Sequence, residues 1–332
     1  MTRRIGASIV MLVGLTFVTL TFSNRLFSVG PAFEEMTDGF RPVMQTASLA
    51  TLNGDIDGLA VAAQDFQTTI LPLAAQQAKV TPEQLAGSLA TGFPAVMKGI
   101  SETQAITTQF RRVVDVLSAE QQRFAKADQI PTASLPATTV PWTLLSIGVV
   151  LMGLGAVMFR PGKKAIAAGL VIGIALVAVP FVLSLPGKAS AADKMNADLK
   201  PVYTQQLVTG AAASLATVQA MAVEMNAKLL PAFAQQAGVS VPLFQQQLGL
   251  AAPGLAAAIQ NMPAALERFT TAVDTFRANL DEYDSIKSVS LVPIVWTLIA
   301  GGAVTFLVAV TLAFERRPAV LDVRAVSSRK AA

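Results

Sequence analysis

The second half of this chain repeats the first half. Matching positions are separated by a constant number of residues, the same number that separates Met36 from Met195. The other positions that match at this offset are Pro42 and Pro201, Leu71-Pro72 and Leu230-Pro231, Gln76-Gln77-Ala78 and Gln235-Gln236-Ala237, Pro94 and Pro253, Phe110 and Phe269, and Asp115 and Asp274. Further along, Trp142-Thr143 aligns with Trp296-Thr297 at a slightly shorter offset. Whatever fold the chain adopts must therefore be assembled twice from the same succession of elements.

The composition places this fold in a membrane. With 53% hydrophobic and 14% charged residues and a mean hydropathy of +0.54, the chain is more apolar than a soluble domain. It contains no cysteine and no histidine. These absences remove thiolate sites, the commonest general base and the commonest transition-metal ligand. We therefore expect a protein that is not an enzyme and that has no cofactor or metal.

Four apolar runs come near the length of about 20 residues that a helix needs to cross a bilayer. They cover residues 5–22, 140–159, 165–185 and 291–314, and none contains Asp, Glu, Lys or Arg. Since ionisable groups inside a membrane usually mark ion or proton paths, these runs do not resemble those of a pump. Pro180 lies within the third run and predicts a kink there.

The positive-inside rule orients these spans. Ten basic residues lie at the termini and in the turn between spans two and three: Arg3, Arg4, Arg160, Lys163, Lys164, Arg316, Arg317, Arg324, Arg329 and Lys330. The long segments 30–139 and 187–290 carry more acidic than basic side chains. We therefore predict that residues 1–29 hold a cytoplasmic N-terminus and the first span. The turn 160–164 and the tail 315–332 are predicted to be cytoplasmic, and both long segments to lie outside.

Each copy is then a span, an extracytoplasmic domain and a second span, so the two copies enter the membrane in the same orientation. Trp142 and Trp296 occupy equivalent places at the outer ends of spans two and four, where indole rings suit the headgroup region. We expect them to anchor the spans at the interface. The excess of basic residues is explained by the cytoplasmic side, so we expect no nucleic-acid partner.

The long segments have the spacing of helical bundles. In the second copy, apolar residues from Leu255 to Tyr283 follow one another at intervals of four and three, which predicts a long helix with a heptad seam. Pro263 predicts a bend or break within it. Thr81-Pro82-Glu83-Gln84 has the form of a capping box that begins a shorter helix. No segment alternates in the way a strand does.

The seam of the first copy has three polar members, Thr103, Thr107 and Gln121. They could line a small polar site between helices. The interpretation that we favour is that the hydroxyls bond to the preceding helical turn and that Gln121 reaches solvent. These residues and the longer linker at 127–139 are the main differences between the copies.

Two further patterns indicate packing more than chemistry. The nearest approach to a cation site is Asp55 and Asp57, but too few ligands surround them and we expect a solvated helix face. Small residues in spans three and four predict close helix contacts. These are Gly169, Gly173, Gly301 and Gly302.

The sequence thus predicts an all-α membrane protein with four transmembrane helices, two extracytoplasmic helical-bundle domains and a parallel tandem repeat. For its function we favour a noncatalytic accessory or scaffold protein of the bacterial inner membrane, surrounded by membrane lipid, which binds an envelope protein or a second copy of itself. One alternative is a carrier of lipid or another apolar ligand. Another is a sensor that acts through a separate cytoplasmic partner.

Overall fold

The computed structural model describes residues 2–132, 135–159 and 162–315, and within these residues every regular element is a helix. The helices are α1 (Thr2–Ser23), α2 (Leu26–Phe40), α3 (Thr46–Asp65), α4 (Leu71–Ala78), α5 (Pro82–Gly92), α6 (Pro94–Ala127), α7 (Thr139–Met158), α8 (Lys163–Val182), α9 (Leu185–Leu199), α10 (Gln205–Glu224), α11 (Leu230–Gln236), α12 (Val241–Ala251), α13 (Pro253–Ala278), α14 (Leu280–Ile286) and α15 (Leu291–Phe314).

Helix boundaries in the second half follow those in the first half at the offset of the sequence repeat. This holds at both ends of α2 and α9, of α3 and α10, and of α5 and α12. A π-helical turn follows α3 at Phe66–Ile70, and another follows α10 at Met225–Leu229. Arg25 and Ser184, which are equivalent positions in the two copies, both have left-handed backbone angles at the end of an apolar helix.

Local sequence signals account for several of these boundaries. The predicted capping box begins α5, where the Thr81 hydroxyl accepts from the Gln84 amide at 3.3 Å and the Gln84 side chain accepts from the Thr81 amide at 3.1 Å. Pro94 and Pro253 begin α6 and α13, where the missing amide proton is not needed.

The long helix of the second copy is divided, but not where the sequence predicted. Helix α13 continues through Pro263 and ends at Ala278, and α14 begins at Leu280. Its counterpart α6 is unbroken. The predicted seam residues of the second copy are buried, apart from Leu266, which is half-buried.

Five helices within the described residues are long and apolar enough to cross a membrane. Four of them match the predicted spans: Arg4–Ser23, Thr139–Met158, Lys163–Val182 and Leu291–Phe314. The fifth, Gln205–Gln236, was not predicted as a span and has the lowest hydropathy of the five. An all-α fold with several apolar helices of this length is typical of a membrane protein.

The chain divides into two compact units. The first contains the described residues of 1–35, 123–196 and 282–332, and its core is formed by α1, α7, α8 and α15. Residues contributed by all four helices are buried there, among them Phe17, Leu151, Leu176 and Ala309. Helix α8 continues through the buried Pro180 to Val182, so it ends before Leu185, the predicted limit of that span.

The second unit contains residues 36–122 and 197–281, and thus combines parts of both long segments. The sequence predicted two separate domains, 30–139 and 187–290, and this unit contains the middle part of each. Within the second unit Phe110 packs against Phe269, its own counterpart in the repeat, with ring centroids 4.9 Å apart. The seams of the two copies therefore meet each other inside one core.

Some predicted features lie outside the described residues. These are Arg160 in the turn between the second and third spans, and the tail 316–332 with its five basic side chains.

Candidate functional site

An apolar cavity of about 450 Å³ lies in the first unit, between α7, α8 and α15. Its walls include Ile147 from α7, Leu176, Val179 and Pro180 from α8, and Ile294 and Leu298 from α15. Its volume falls within the usual range for small-molecule sites. The side chains of Val179 and Leu135 on this lining are about half exposed, so the cavity is open to its surroundings.

Two hydroxyls on this lining are already satisfied by the backbone. Thr139 and Thr143 line the cavity, and their hydroxyls donate to the carbonyls of Pro136 and Thr139 at 2.7 and 2.8 Å. A ligand in contact with these residues meets mainly methyl and methylene groups. The site therefore has the chemistry of an apolar binding pocket.

The cavity follows from a difference between two equivalent helix contacts. In the repeat, α1 corresponds to α8 and α7 corresponds to α15, so the α1–α15 contact corresponds to α8–α7. Helices α1 and α15 meet more extensively than α7 and α8 do. At the first contact a Cβ on Gly301 would lie 2.6 Å from the Phe17 ring, so only glycine allows this approach.

At the second contact the equivalent positions are occupied differently. Leu176 is the counterpart of Phe17 in the repeat, and Ile147 is the counterpart of Gly301. A β-branched side chain replaces hydrogen on α7, while a smaller side chain replaces phenylalanine on α8. Both residues line the cavity. These two exchanges provide a local reason why the cavity forms at one contact of the pair.

The linker after α6 closes part of the cavity. Ile130, Pro131 and Thr132 from this linker contribute to the lining, and the peptide bond between Ile130 and Pro131 is cis. Lys188 on α9 is half-buried, and its ammonium donates to the carbonyls of Gln129 at 2.9 Å and Pro131 at 3.4 Å. The segment that the sequence identified as longer in the first copy thus borders the cavity.

Carboxylates at equivalent positions hold the starts of α7 and α15. Asp193 on α9 accepts from the amides of Leu291 and Val292 at 2.8 and 3.1 Å. Its counterpart Glu34 on α2 accepts from the Thr138 amide at 3.4 Å. Each carboxylate satisfies amides that a helix start leaves without an intrahelical partner.

The polar seam residues of the first copy are not gathered into one site. The buried Thr103 and Thr107 donate to the carbonyls of Gly99 and Thr103 in their own helix at 2.7 and 2.8 Å. Gln121 lies four turns further along α6 and donates to the Met44 carbonyl at 2.9 Å. The hydroxyls are therefore satisfied locally, and Gln121 ties two parts of the second unit together.

Asp55 and Asp57 bind arginines. Asp55 makes two hydrogen bonds of 2.7 Å with the Arg268 guanidinium. These bonds raise the pKa of Arg268, and they outweigh burial, which lowers it. Asp57 pairs with Arg111. The Asp55 side chain is only 10% exposed, so it is not on a solvated face as the sequence predicted. No local pattern reveals a partner 213 residues away.

Two carboxylates cap the long helices of the opposite copies in the second unit. Asp65 accepts from the amides of Gly254 and Leu255 at 2.9 and 3.1 Å, at the start of α13. Its counterpart Glu224 accepts from the amides of Ala95 and Val96 at 2.7 and 3.0 Å, at the start of α6. The two caps are reciprocal.

The glycines chosen from the sequence lie at helix contacts. A Cβ on Gly173 would lie 2.7 Å from the Phe306 amide nitrogen, and one on Gly302 would lie 3.1 Å from the Gly173 carbonyl oxygen. A Cβ on Gly169 would lie 2.5 Å from the end of the Met158 side chain. The α1–α7 contact uses Gly14 and Gly148. They are the counterparts of Gly173 and Gly302, although they were not among the glycines predicted to pack.

The two tryptophans are exposed within the first two turns of their helices. Trp142 on α7 is 63% exposed and Trp296 on α15 is 52% exposed. The Trp142 ring also packs edge-on against Phe27, with centroids 5.0 Å apart. Their role as interfacial anchors remains a prediction.

No protein-family model, curated protein or solved structure matches this chain.

Proposed function

We propose that this protein is a four-span membrane protein that binds the acyl chain of a membrane lipid in the cavity between α7, α8 and α15. The observation that carries the proposal is the apolar lining of this cavity, which is built from three helices that are apolar enough to lie in a bilayer. The role is binding or transfer and not catalysis.

The proposed spans are α1, α7, α8 and α15. The remaining apolar stretch, Gln205–Gln236, contains Glu224 and Lys228, which pair with each other at 3.4 Å. It also corresponds in the repeat to α3 and the helix after it, which carry Asp55, Asp57 and Asp65. Carboxylates are costly inside a bilayer, so we assign both stretches to the extracytoplasmic segments.

With four spans, the two copies are parallel and both termini are cytoplasmic, in the bacterial inner membrane. The excess of basic residues at the termini and in the turn 160–164 supports this orientation. A topology reporter inserted after Lys164 is expected to give a cytoplasmic signal. An external signal would refute the orientation.

Lipid is the occupant that these surroundings favour. The cavity walls are parts of helices that lie among acyl chains, and Val179 on the lining is exposed. An acyl chain can therefore enter from the side without crossing water. The hydroxyls of Thr139 and Thr143 on the wall already have partners, so an acyl chain beside them leaves neither hydroxyl unsatisfied.

Filling the cavity tests this function. Leu176 lines the cavity, and its counterpart in the repeat is Phe17. Leu176→Phe therefore places the larger side chain of the counterpart inside the cavity. We expect this variant to lose most of the lipid that co-purifies with the wild-type protein in mild detergent, as measured by extraction and mass spectrometry. Val171→Phe is the matched control, because Val171 lies on the same helix and is 67% exposed.

Leu298→Phe, which fills the cavity from α15, guards against a folding defect in the first variant. The melting temperature of each filling variant is measured beside that of wild type, so that a loss of lipid is not mistaken for a loss of folding. If both keep the wild-type amount of lipid, the cavity is not a lipid site.

A scaffold function, which the sequence favoured, is supported by a separate observation. Leu250 on α12 is 87% exposed and Leu243 is 44% exposed, and residues 229–252 contain one aromatic pair but no charged side chain. Exposed leucines in a charge-free segment are typical of a protein-binding surface. Leu250→Gln is expected to release an envelope partner that cross-links to the wild-type protein and to leave lipid binding unchanged.

A further inference from the structure

We propose that the cavity selects an anionic phospholipid and that Lys188 is the ligand of its phosphate. This inference rests on the proposed lipid-binding function and specifies the class of lipid.

Selection has to come largely from the headgroup. Inside a bilayer, an acyl chain that enters a protein cavity leaves surroundings as apolar as the cavity itself, so burial provides little net driving force. Shape complementarity adds some affinity but does not distinguish lipids that share the same chains. A charged group at the rim of the cavity distinguishes them through the phosphate and its substituents.

Lys188 lies at such a rim. It begins the second turn of α9, between Leu185 and Ala189, and both of these residues line the cavity. Its ammonium is held by the carbonyls of Gln129 and Pro131, where the linker borders the same cavity. The charge is therefore fixed beside the opening and does not move freely in solvent.

The bonds that hold Lys188 do not neutralise it. Carbonyl oxygens carry no formal charge, and an ammonium has three donors of which two are used here. The third donor and the full positive charge remain for a ligand at the rim. A phosphate oxygen supplies both the acceptor and the opposite charge, and charge-assisted bonds of this kind are about twice as strong as neutral ones.

The repeat shows that this arrangement is specific to one side of the protein. The counterpart of Lys188 is Val29, which is buried. The equivalent helix contact, between α1 and α15, is closed by Phe17 against Gly301. The cavity, the longer linker and the cation thus occur together at one of the two equivalent helix contacts and are replaced at the other.

The occupant is a phospholipid and not free phosphate, because the cation lies beside an acyl-sized apolar cavity. Among phospholipids, those with a net negative charge are favoured over zwitterionic ones, whose ammonium group offsets the phosphate. A single lysine near an anionic lipid favours it by about fivefold.

The test is competition between two lipids in one sample. The full-length protein is placed in nanodiscs with equal amounts of phosphatidylglycerol and phosphatidylcholine of the same chains, then released, and the retained lipids are quantified by native mass spectrometry. We expect wild type to retain about five times more phosphatidylglycerol. Lys188→Gln is expected to retain the two lipids equally, and Lys188→Arg to keep the preference.

Lys194→Gln is the matched control, since Lys194 is an exposed lysine on the same helix. It is expected to keep the wild-type preference. The inference is overturned if Lys188→Gln keeps the preference, if Lys194→Gln loses it to the same extent, or if wild type retains both lipids equally.

The outcomes separate this inference from the function beneath it. If wild type retains both lipids equally while Leu176→Phe retains neither, the cavity binds lipid and Lys188 does not select it. If wild type retains no lipid at all, both proposals fail.

Discussion

Replacing Gly14 with alanine tests how closely α1 and α7 pack, since this contact has no space for a side chain. A Cβ at Gly14 would lie 2.6 Å from the Gly148 carbonyl oxygen and 2.7 Å from the Met152 amide nitrogen. Ordinary contact distances are about 3.5 Å or more. Since the obstructing atoms belong to the backbone, the two helices have to separate by nearly 1 Å to admit one methyl group.

Two effects oppose each other in this variant. Overpacking of this kind costs about 1–3 kcal/mol, whereas alanine favours a helix over glycine by about 1 kcal/mol. Gly153→Ala isolates the first effect, because Gly153 lies on α7 and a Cβ there would have no atom within 4 Å. The helix-propensity term is common to both variants, so their difference reports the steric cost.

We expect Gly153→Ala to stabilise the protein by up to about 1 kcal/mol and Gly14→Ala to be about 1–3 kcal/mol less stable than it. Equilibrium unfolding in mixed micelles, followed by circular dichroism, measures both. Gly173→Ala, at the equivalent position on α8, is expected to behave like Gly14→Ala. Equal effects of Gly14→Ala and Gly153→Ala would refute the close approach of α1 and α7.

Three other variants test the second unit and α14. Asp65→Ala removes the cap of α13 and is expected to lower the free energy of unfolding by about 1–2 kcal/mol. Asp57→Ala loses an exposed ion pair with Arg111 and is expected to lower it by less than about 1 kcal/mol. Equal losses of stability in denaturant titrations would argue against the cap. Burial and then the charge of Asp284 raise the pKa of Tyr283 to about 12, so its stabilising contribution is complete below pH ~10 and is lost as pH rises towards 12. Tyr283→Phe is expected to remove this loss of stability at high pH. The wild type has two tyrosines, and its tyrosinate absorbance should show one group ionising near pH 12. Ionisation of both tyrosines at pH ~10 would contradict the raised pKa.

Helical character was predictable because it depends on local patterns. The heptad spacing from Leu255 onwards predicted residues that are buried along α13 and α14, and Thr81 with Gln84 predicted the start of α5. Of the bend or break predicted at Pro263, the break does not occur, since the helix continues through this proline and ends at Ala278. A local signal identifies what a segment favours, and packing decides whether that preference prevails.

Contacts between the copies were not predictable. The pairing of Asp55 with Arg268 and the capping of α13 by Asp65 join residues that are far apart in the chain. Neither carboxylate has a local pattern that indicates its partner. The solvated face expected at Asp55 was therefore an error of context, because the same side chain is exposed on an isolated helix and nearly buried in the second unit.

The sequence by itself determined that the chain is built of helices, that several of them are apolar enough for a membrane, and that its elements recur at a constant offset along the chain. These properties follow from composition and periodicity, which act over a few helical turns. Only the tertiary structure decided that the seams of both copies share one core, and that α7 and α8 leave a cavity where α1 and α15 close together. The reason is that packing depends on pairs of residues that lie far apart in the chain. Examples are Phe17 with Gly301 and Leu176 near Ile147.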